Sequence, residues 1–303
     1  MSVEAHKAGG PHGPSASSHP GPMRLTDREF KEFAALIYDR CGINLAPIKL
    51  IMLSSRLSKR LRVLSMDSFE RYLDYVRTPE GLAQELVHLI DVVTTNKTEF
   101  FREPKHYEIL TGKVLPELAA RGRTRMIRVW SAGCSTGEEP YTLSMVFDRW
   151  CNNNGMSWAI TASDISTKVL ETAQKAVYQT RHIESIPDTY RREYLMRGKG
   201  RMAGMFRIVP ELRKRIDFMR VNLVDDAGFG LSQKFDIIFC RNVVIYFDRE
   251  TQKKLFERFW RQLVPGGFLF IGLSETLHRI NDDFVSLSSS VYRKPALLPT
   301  EAP

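Results

Sequence analysis

The run IRVWSAGCSTGEEPY, Ile127–Tyr141, holds a strand, a turn and the start of a helix in one segment. Ile127 and Val129 fall on one face of an extended chain and Trp130 on the other, which is the pattern of a short buried strand. The chain then passes through small residues, Ser131-Ala132-Gly133-Cys134-Ser135-Thr136-Gly137, and reaches Glu138-Glu139-Pro140 ahead of a helical pattern. A strand that turns into a helix in this way brings backbone N–H groups close to whatever lies above the sheet. Its glycines permit close approach and positive φ. Phosphate-binding loops place Lys or bare N–H groups at such a turn. Glu138 and Glu139 would instead repel a phosphate and attract an amine, so the turn is expected to hold a nucleoside-type ligand that carries positive charge.

On the C-terminal side, WAITASD (Trp158–Asp164) reads as a second strand ending in an acid. Asp164 stands a little further from the glycines than the ~20 residues of the dinucleotide fingerprint. Its carboxylate would accept both hydroxyls of a ribose, or cap a helix over Ser166–Ala176, a role Ser166 serves equally. The stretch Tyr194–Phe218 is rich in Gly and in short alternating runs. A small antiparallel β-insertion is expected within 197–214, centred on Met202–Leu212, and a third strand over Ile216–Asn222. FDIIFC (Phe235–Cys240) is continuously apolar, as a parallel strand buried on both faces should be. Arg241 and Asn242 follow at its carboxyl end, where ligands of open α/β sheets bind. A helix over Arg249–Leu263, a strand over Phe268–Gly272 and a hairpin over Phe284–Pro295 complete the pattern. Strands alternating with helices predict an α/β fold over 126–296, a doubly wound, mostly parallel sheet.

On the N-terminal side the pattern is helical. Thr26 with Glu29 forms a capping box, Phe30, Phe33, Leu36 and Ile37 make an apolar stripe, and Cys41-Gly42 ends the helix. A second helix begins at Pro47, with Leu50, Leu53, Leu57, Leu61 and Leu64 on one side. Lys49, Arg56, Lys59, Arg60 and Arg62 lie largely on the other, and no Asp or Glu occurs between Asp39 and Asp67. That uniformly basic face suits docking on an acidic surface. Two further helices start at Asp67 and Pro79, giving a small all-helical domain over 24–94. TNKTEFFRE (Thr95–Glu103) then joins the halves, with Asn96, Thr98 and Arg102 able to point at a ligand between them, and the linker with its helix spans 95–125. Residues 1–23 are mostly Gly, Pro, Ser and Ala and read as a disordered tail.

Composition narrows the class. The 303 residues are 43% hydrophobic and 26% charged, ordinary values for a globular protein of about two domains. No apolar run approaches the ~20 residues of a membrane span, and no signal peptide is evident at the N-terminus. Four scattered cysteines, with no CxxC, fit a reducing cytoplasmic setting without a structural metal. The net charge of +9 favours an acidic partner.

Together, TNKTEFFRE, SAGCSTGEEPY, ASDIS, VNL and FDIIFCRNVVIYFD, in this order, resemble the CheR family of chemotaxis methyltransferases from Leu25 to Lys294. The resemblance implies a class I S-adenosylmethionine-dependent fold behind the helical domain. The implied activity is methyl transfer to chemoreceptor glutamates, with S-adenosylhomocysteine as product and glutamyl methyl esters formed for sensory adaptation. By the same resemblance Asn96, Thr98 and Arg102 are cofactor contacts, Glu139 holds the methionine ammonium and Asp164 the ribose. Asn222 and Leu223 are adenine-side contacts, Arg241 and Asn242 complete the pocket, and Tyr246 lies near the transferred methyl. Arg102 and Tyr246 are thus the candidate catalytic residues. Arg197–Gly200 resembles the Gly-x-Gly of members that bind a C-terminal tethering peptide of the receptor by strand addition. A plain turn is the other reading of Gly198 and Gly200. Candidate receptor-docking residues are Arg56, Lys59, Arg60, Gly198 and Gly200, and a monomer is expected. The first loop is Gly133-x-x-x-Gly137 rather than GxGxG. Two other readings are a nucleic-acid methyltransferase, against which no Asn/Asp-Pro-Pro-aromatic motif follows the fourth strand, and a non-catalytic cofactor-sensing adaptor.

Overall fold

The computed structural model describes residues 23–94, 97–121, 126–225 and 227–296. The expected tail, apart from Met23, and the candidate contact Asn96 lie outside these residues. Four helices come first: α1 (Asp27–Cys41), α2 (Leu50–Val63), entered through a 3-10 turn at Pro47–Lys49, α3 (Phe69–Arg77) and α4 (Pro79–Val93). The predicted capping box forms: Thr26 accepts from the Glu29 N–H while the Glu29 carboxylate accepts from the Thr26 N–H at 2.7 Å. Gly42 takes the left-handed conformation, φ 68°, that closes α1. Ser68, rather than Asp67, caps α3. Phe33, Leu53, Leu57, Leu61, Tyr72 and Leu89 fill the core of this domain.

The basic face of α2 differs from its sequence pattern. Arg56 donates to the carbonyls of Val92 (2.8 Å) and Thr94 (2.9 Å) at the end of α4. Arg60 grips Glu85 with two donors at 2.8 and 2.6 Å, and the Tyr72 hydroxyl donates to the same carboxylate at 3.0 Å. The stretch without local acids is therefore partly neutralised by an acid of α4. Lys49, Lys59 and Arg62 remain exposed.

After the linker come α5 (Lys105–Ile109) and α6 (Leu115–Ala120), joined by a π-helical turn at Leu110–Val114, then β1 (Met126–Ala132), α7 (Glu138–Asn154), β2 (Ser157–Asp164) and α8 (Thr167–Lys175). Next are β3 (Val177–Gln179), α9 (Asp188–Tyr194), β4 (Leu195–Arg197), β5 (Met205–Ile208), α10 (Pro210–Arg213) and β6 (Ile216–Arg220). The chain ends with β7 (Phe235–Cys240), α11 (Arg249–Gln262), β8 (Leu263–Ile271), β9 (Val285–Ser288) and β10 (Val291–Arg293). The main sheet has the order β6-β2-β1-β7-β8-β10-β9. Its first five strands are parallel, and β10 runs antiparallel to both neighbours. The order reverses beside β1, which places the Gly133–Gly137 turn at the switch point. Ile127 and Val129 pack with Leu143 and Phe147 of α7 on one face. Trp130 packs with Phe256 and Phe259 of α11 on the other.

The β-insertion is larger than expected. A separate antiparallel sheet of order β3-β5-β4 begins at Val177, not near Arg197. Its first strand has only three residues, too few for an alternating pattern to be read. Tyr178 and Phe206 of this sheet clamp Phe100 of the linker, with ring centroids 5.0 and 5.9 Å away. The helical domain docks above the carboxyl ends of the parallel strands. Tyr38 donates to Asp248 at 2.5 Å, Asn44 N–H to the Tyr246 carbonyl at 2.8 Å, and Ser166 to Asp91 at 2.5 Å.

Candidate functional site

A cleft opens between the helical domain and the carboxyl ends of β1, β2, β6 and β7, the end of a parallel sheet where ligands bind. The helical side supplies Cys41, Ile43 and Thr94. The linker supplies Lys97, Thr98, Glu99 and Arg102. From the α/β side come Gly133, Ser135, Glu139, Asp164, Asn222, Leu223, Arg241, Asn242 and Tyr246, among others. Every candidate contact within the described residues thus lines one cavity. Arg56, Lys59, Arg60, Gly198 and Gly200 do not line it.

The turn after β1 makes its geometry by close packing. Gly133 has φ +87°, and a Cβ there would stand 2.4 Å from Val243 Cγ2, so any side chain would push into the loop after β7. The two acids of GEEPY have separate fates. Glu138 is buried beneath the turn, where the Thr136 hydroxyl donates to it at 2.6 Å and burial raises its carboxyl above the ordinary range. Only Glu139 faces the cleft. Ser131 donates to one of its oxygens at 2.7 Å and Arg241 to the other at 3.2 Å. Burial raises the Glu139 carboxyl, against the pull of the Arg241 charge and the Ser131 hydrogen bond.

Asp164, at the end of β2, accepts from the backbone N–H of Ser135 at 2.9 Å and of Ser166 at 3.0 Å. It ties the first loop to the start of α8, while Ser166 itself caps that helix. Burial raises its carboxyl, opposed by these N–H donors. A carboxylate so fixed keeps lone pairs for two hydroxyls of a ligand. Asn222 donates to the Arg40 carbonyl at 2.8 Å and accepts from the Val224 N–H at 3.2 Å, so its side chain shapes the cleft wall by bridging to α1. Arg102 donates to the Lys97 carbonyl at 2.9 Å.

Glu103, Tyr107 and Glu275, which sequence reading passed over, brace the cleft-lining residues Arg241 and Asn242 from behind. Arg241, its side chain only 2% exposed, contacts Glu103 at 3.0 and 3.3 Å and the Tyr107 hydroxyl at 3.2 Å besides Glu139. Burial opposes the Glu103 charge, but Arg241 and its hydrogen bonds hold the carboxyl below the ordinary range. Glu275 accepts from the backbone N–H groups of Gly272 (2.6 Å), Asn242 (3.0 Å) and Ile245 (3.1 Å), fixing the loop that carries Tyr246. Glu103 sat inside TNKTEFFRE, whereas nothing near Glu275 marked it. Gly198 is constrained by its own turn, since a Cβ there would fall 2.0 Å from the Met202 carbonyl oxygen.

An inward carboxylate on a glycine turn, a second carboxylate at the next strand end and apolar walls suit an adenosine that bears an ammonium group. Comparison with known proteins agrees. Residues 96–293 match the CheR methyltransferase SAM-binding domain, and residues 28–94 match the CheR methyltransferase all-alpha domain. The chemotaxis protein methyltransferase of Borreliella burgdorferi is 36% identical, covering 90% of this chain and 96% of its own. That of Salmonella typhimurium is 38% identical (89% and 91%), and chemotaxis protein methyltransferase 2 of Pseudomonas aeruginosa is 37% identical (91% and 98%). These matches give no support to a nucleic-acid methyltransferase or a non-catalytic adaptor. The chain belongs to the CheR methyltransferase family, with an S-adenosylmethionine-binding α/β domain behind an all-helical one.

Proposed function

We propose that this protein methylates glutamate side chains of chemoreceptor cytoplasmic domains, forming glutamyl methyl esters. The observation that carries the reading is the Glu139 and Asp164 pair in one cleft, in a chain whose relatives are named chemotaxis protein methyltransferases. Bound S-adenosylmethionine supplies an electrophilic methyl group on a sulfonium. Glu139 would hold its ammonium, Asp164 the ribose hydroxyls, and Leu223 with the Asn222 wall the adenine. Asn96, Thr98 and Asn242 are the remaining candidate contacts.

A glutamate is ionised at neutral pH, so it attacks without a general base. The chain's task is to hold the attacking oxygen in line with the methyl and exclude water, because water stabilises the separated ions more than the transition state. Arg102 orients the substrate carboxylate and Tyr246 packs beside the reacting centre. Receptor docking would use the exposed cations of α2 and the turn before it, chiefly Lys59 with Arg62 and Lys49, since Arg56 and Arg60 are engaged within the domain. The β-insertion would add a tethering peptide along β4, where Gly198 and Gly200 shape the turn. The working state is a cytoplasmic monomer. Among the described residues no helix is long and apolar enough to cross a membrane.

The test is incubation with methyl-labelled S-adenosylmethionine and purified receptor cytoplasmic domains. Alkali-labile label on glutamate is expected. Label that survives alkali, or enters nucleic acid instead, overturns the reading.

A further inference from the structure

We propose that Glu103 is a positioning residue that offsets the Arg241 charge, so that the cluster around Glu139 keeps the net negative charge needed to bind an ammonium. The proposal rests on the functional reading above and concerns how its cationic ligand is recognised. Around Arg241, one guanidinium meets two carboxylates. Glu103 lies 3.0 and 3.3 Å from two of its nitrogens, and Glu139 lies 3.2 Å from a third. His106 adjoins the group, its ring nitrogen 3.3 Å from Glu103, but burial brings it down to about 4, so it is neutral at physiological pH. Tyr107 contributes a neutral hydroxyl at 3.2 Å. The cluster therefore holds one positive and two negative charges, and a single ammonium against Glu139 completes the balance. Without Glu103, Arg241 alone would neutralise Glu139, and an arriving ammonium would be surplus in a buried setting where unpaired charge is costly.

Glu103 is also placed with care. Phe101 and Glu103 both have positive φ, +55° and +56°, a conformation that residues with a Cβ rarely adopt. The other Glu103 oxygen accepts from Asn242 Nδ2 at 3.3 Å and from the Leu273 N–H at 3.4 Å. Arg241 donates to the Arg102 carbonyl as well. The carboxylate thus spans the loops after β7 and β8 and pins the linker turn that presents Arg102.

The test compares calorimetric binding of S-adenosylhomocysteine, which carries the ammonium, with that of 5′-methylthioadenosine, which lacks it. Glu103→Gln should weaken S-adenosylhomocysteine tenfold or more and change methylthioadenosine by less than threefold. Glu103→Asp, which keeps the charge, should restore most of the difference, and should the Gln variant fail to fold, Glu103→Asn is compared with Glu103→Asp in the same way. Equal weakening of both ligands in the charge-removing variant, or unchanged discrimination between them there, overturns the proposal. Should the wild-type protein itself bind both ligands equally, the assignment of Glu139 to an ammonium fails first, a result separable from the variants' behaviour.

Discussion

Glu139 and Asp164 do different work in the same cleft. Among the described residues, Glu139 has one partner on each oxygen, Ser131 and Arg241, and no backbone donor holds it. Replacing it with Gln keeps the shape and removes the charge. A charge-assisted hydrogen bond contributes about 1.5–3 kcal/mol, so Glu139→Gln should weaken S-adenosylhomocysteine by roughly 10–150-fold while sparing methylthioadenosine in calorimetry. The pH dependence follows in sign. Burial raises the free Glu139 carboxyl above the ordinary carboxylate range, and a bound ammonium lowers it again. Binding then takes place with proton release as pH falls toward that raised value. Affinity should be full above the free-state value and drop as the solution is acidified through it, and the drop should vanish in Glu139→Gln. At the mouth of the cleft, Arg102→Ala should cut turnover by about 10–100-fold through misorientation of the attacking carboxylate. Tyr246→Phe should lower it too. Wild-type initial rates would remove these two roles.

Elements made by local patterns were legible, whereas those made by distant partners were not. The Thr26 capping box, the left-handed Gly42 stop, the FDIIFC strand and the helix opening at Arg249 all have causes within a few residues, and each forms where its motif stands. Of the candidate site, the residues at strand ends and in the linker were legible because such positions sit above a parallel sheet. Glu103 and Glu275 were not, because their partners on Arg241, Asn242 and Gly272 come together only once the strands are assembled. The same reason explains α2. A helix face without local acids reads as free and basic until α4 brings up Glu85, whose side chain is 3% exposed against 18% for Arg60. Burial opposes the Glu85 charge, yet Arg60 and Tyr72 together hold its carboxyl low. Removing it with Glu85→Ala leaves Arg60 and the Tyr72 hydroxyl without their acceptor in the core. The expected loss is about 2–4 kcal/mol of unfolding free energy in denaturant titration. A change under 1 kcal/mol would mean that Arg60 simply swings out to solvent.

At the scale of the whole molecule, the cleft exists because two domains close on it, and Ile43 is where they meet. Ile43 is 5% exposed, bridges Phe247 in antiparallel fashion and lines the cleft roof. Its neighbour Asn44 donates to the carbonyl of Tyr246, so the roof and the loop that carries Tyr246 are one hydrogen-bonded unit. Ile43→Ala would remove apolar surface from both the interdomain contact and the cleft wall, a truncation that costs about 2–5 kcal/mol in a packed core. The effect on ligands should differ in kind from that of Glu139→Gln. S-adenosylhomocysteine and methylthioadenosine share the adenosine, and both should weaken by a similar factor. Ligand-induced stabilisation follows mass action and reaches about 2.7 kcal/mol at a hundred times the Kd. At fixed ligand concentration the thermal shift of the Ile43→Ala protein should therefore be smaller for both ligands. If both bind the variant as they bind the wild type, the helical domain is a neighbour of the site and not its roof.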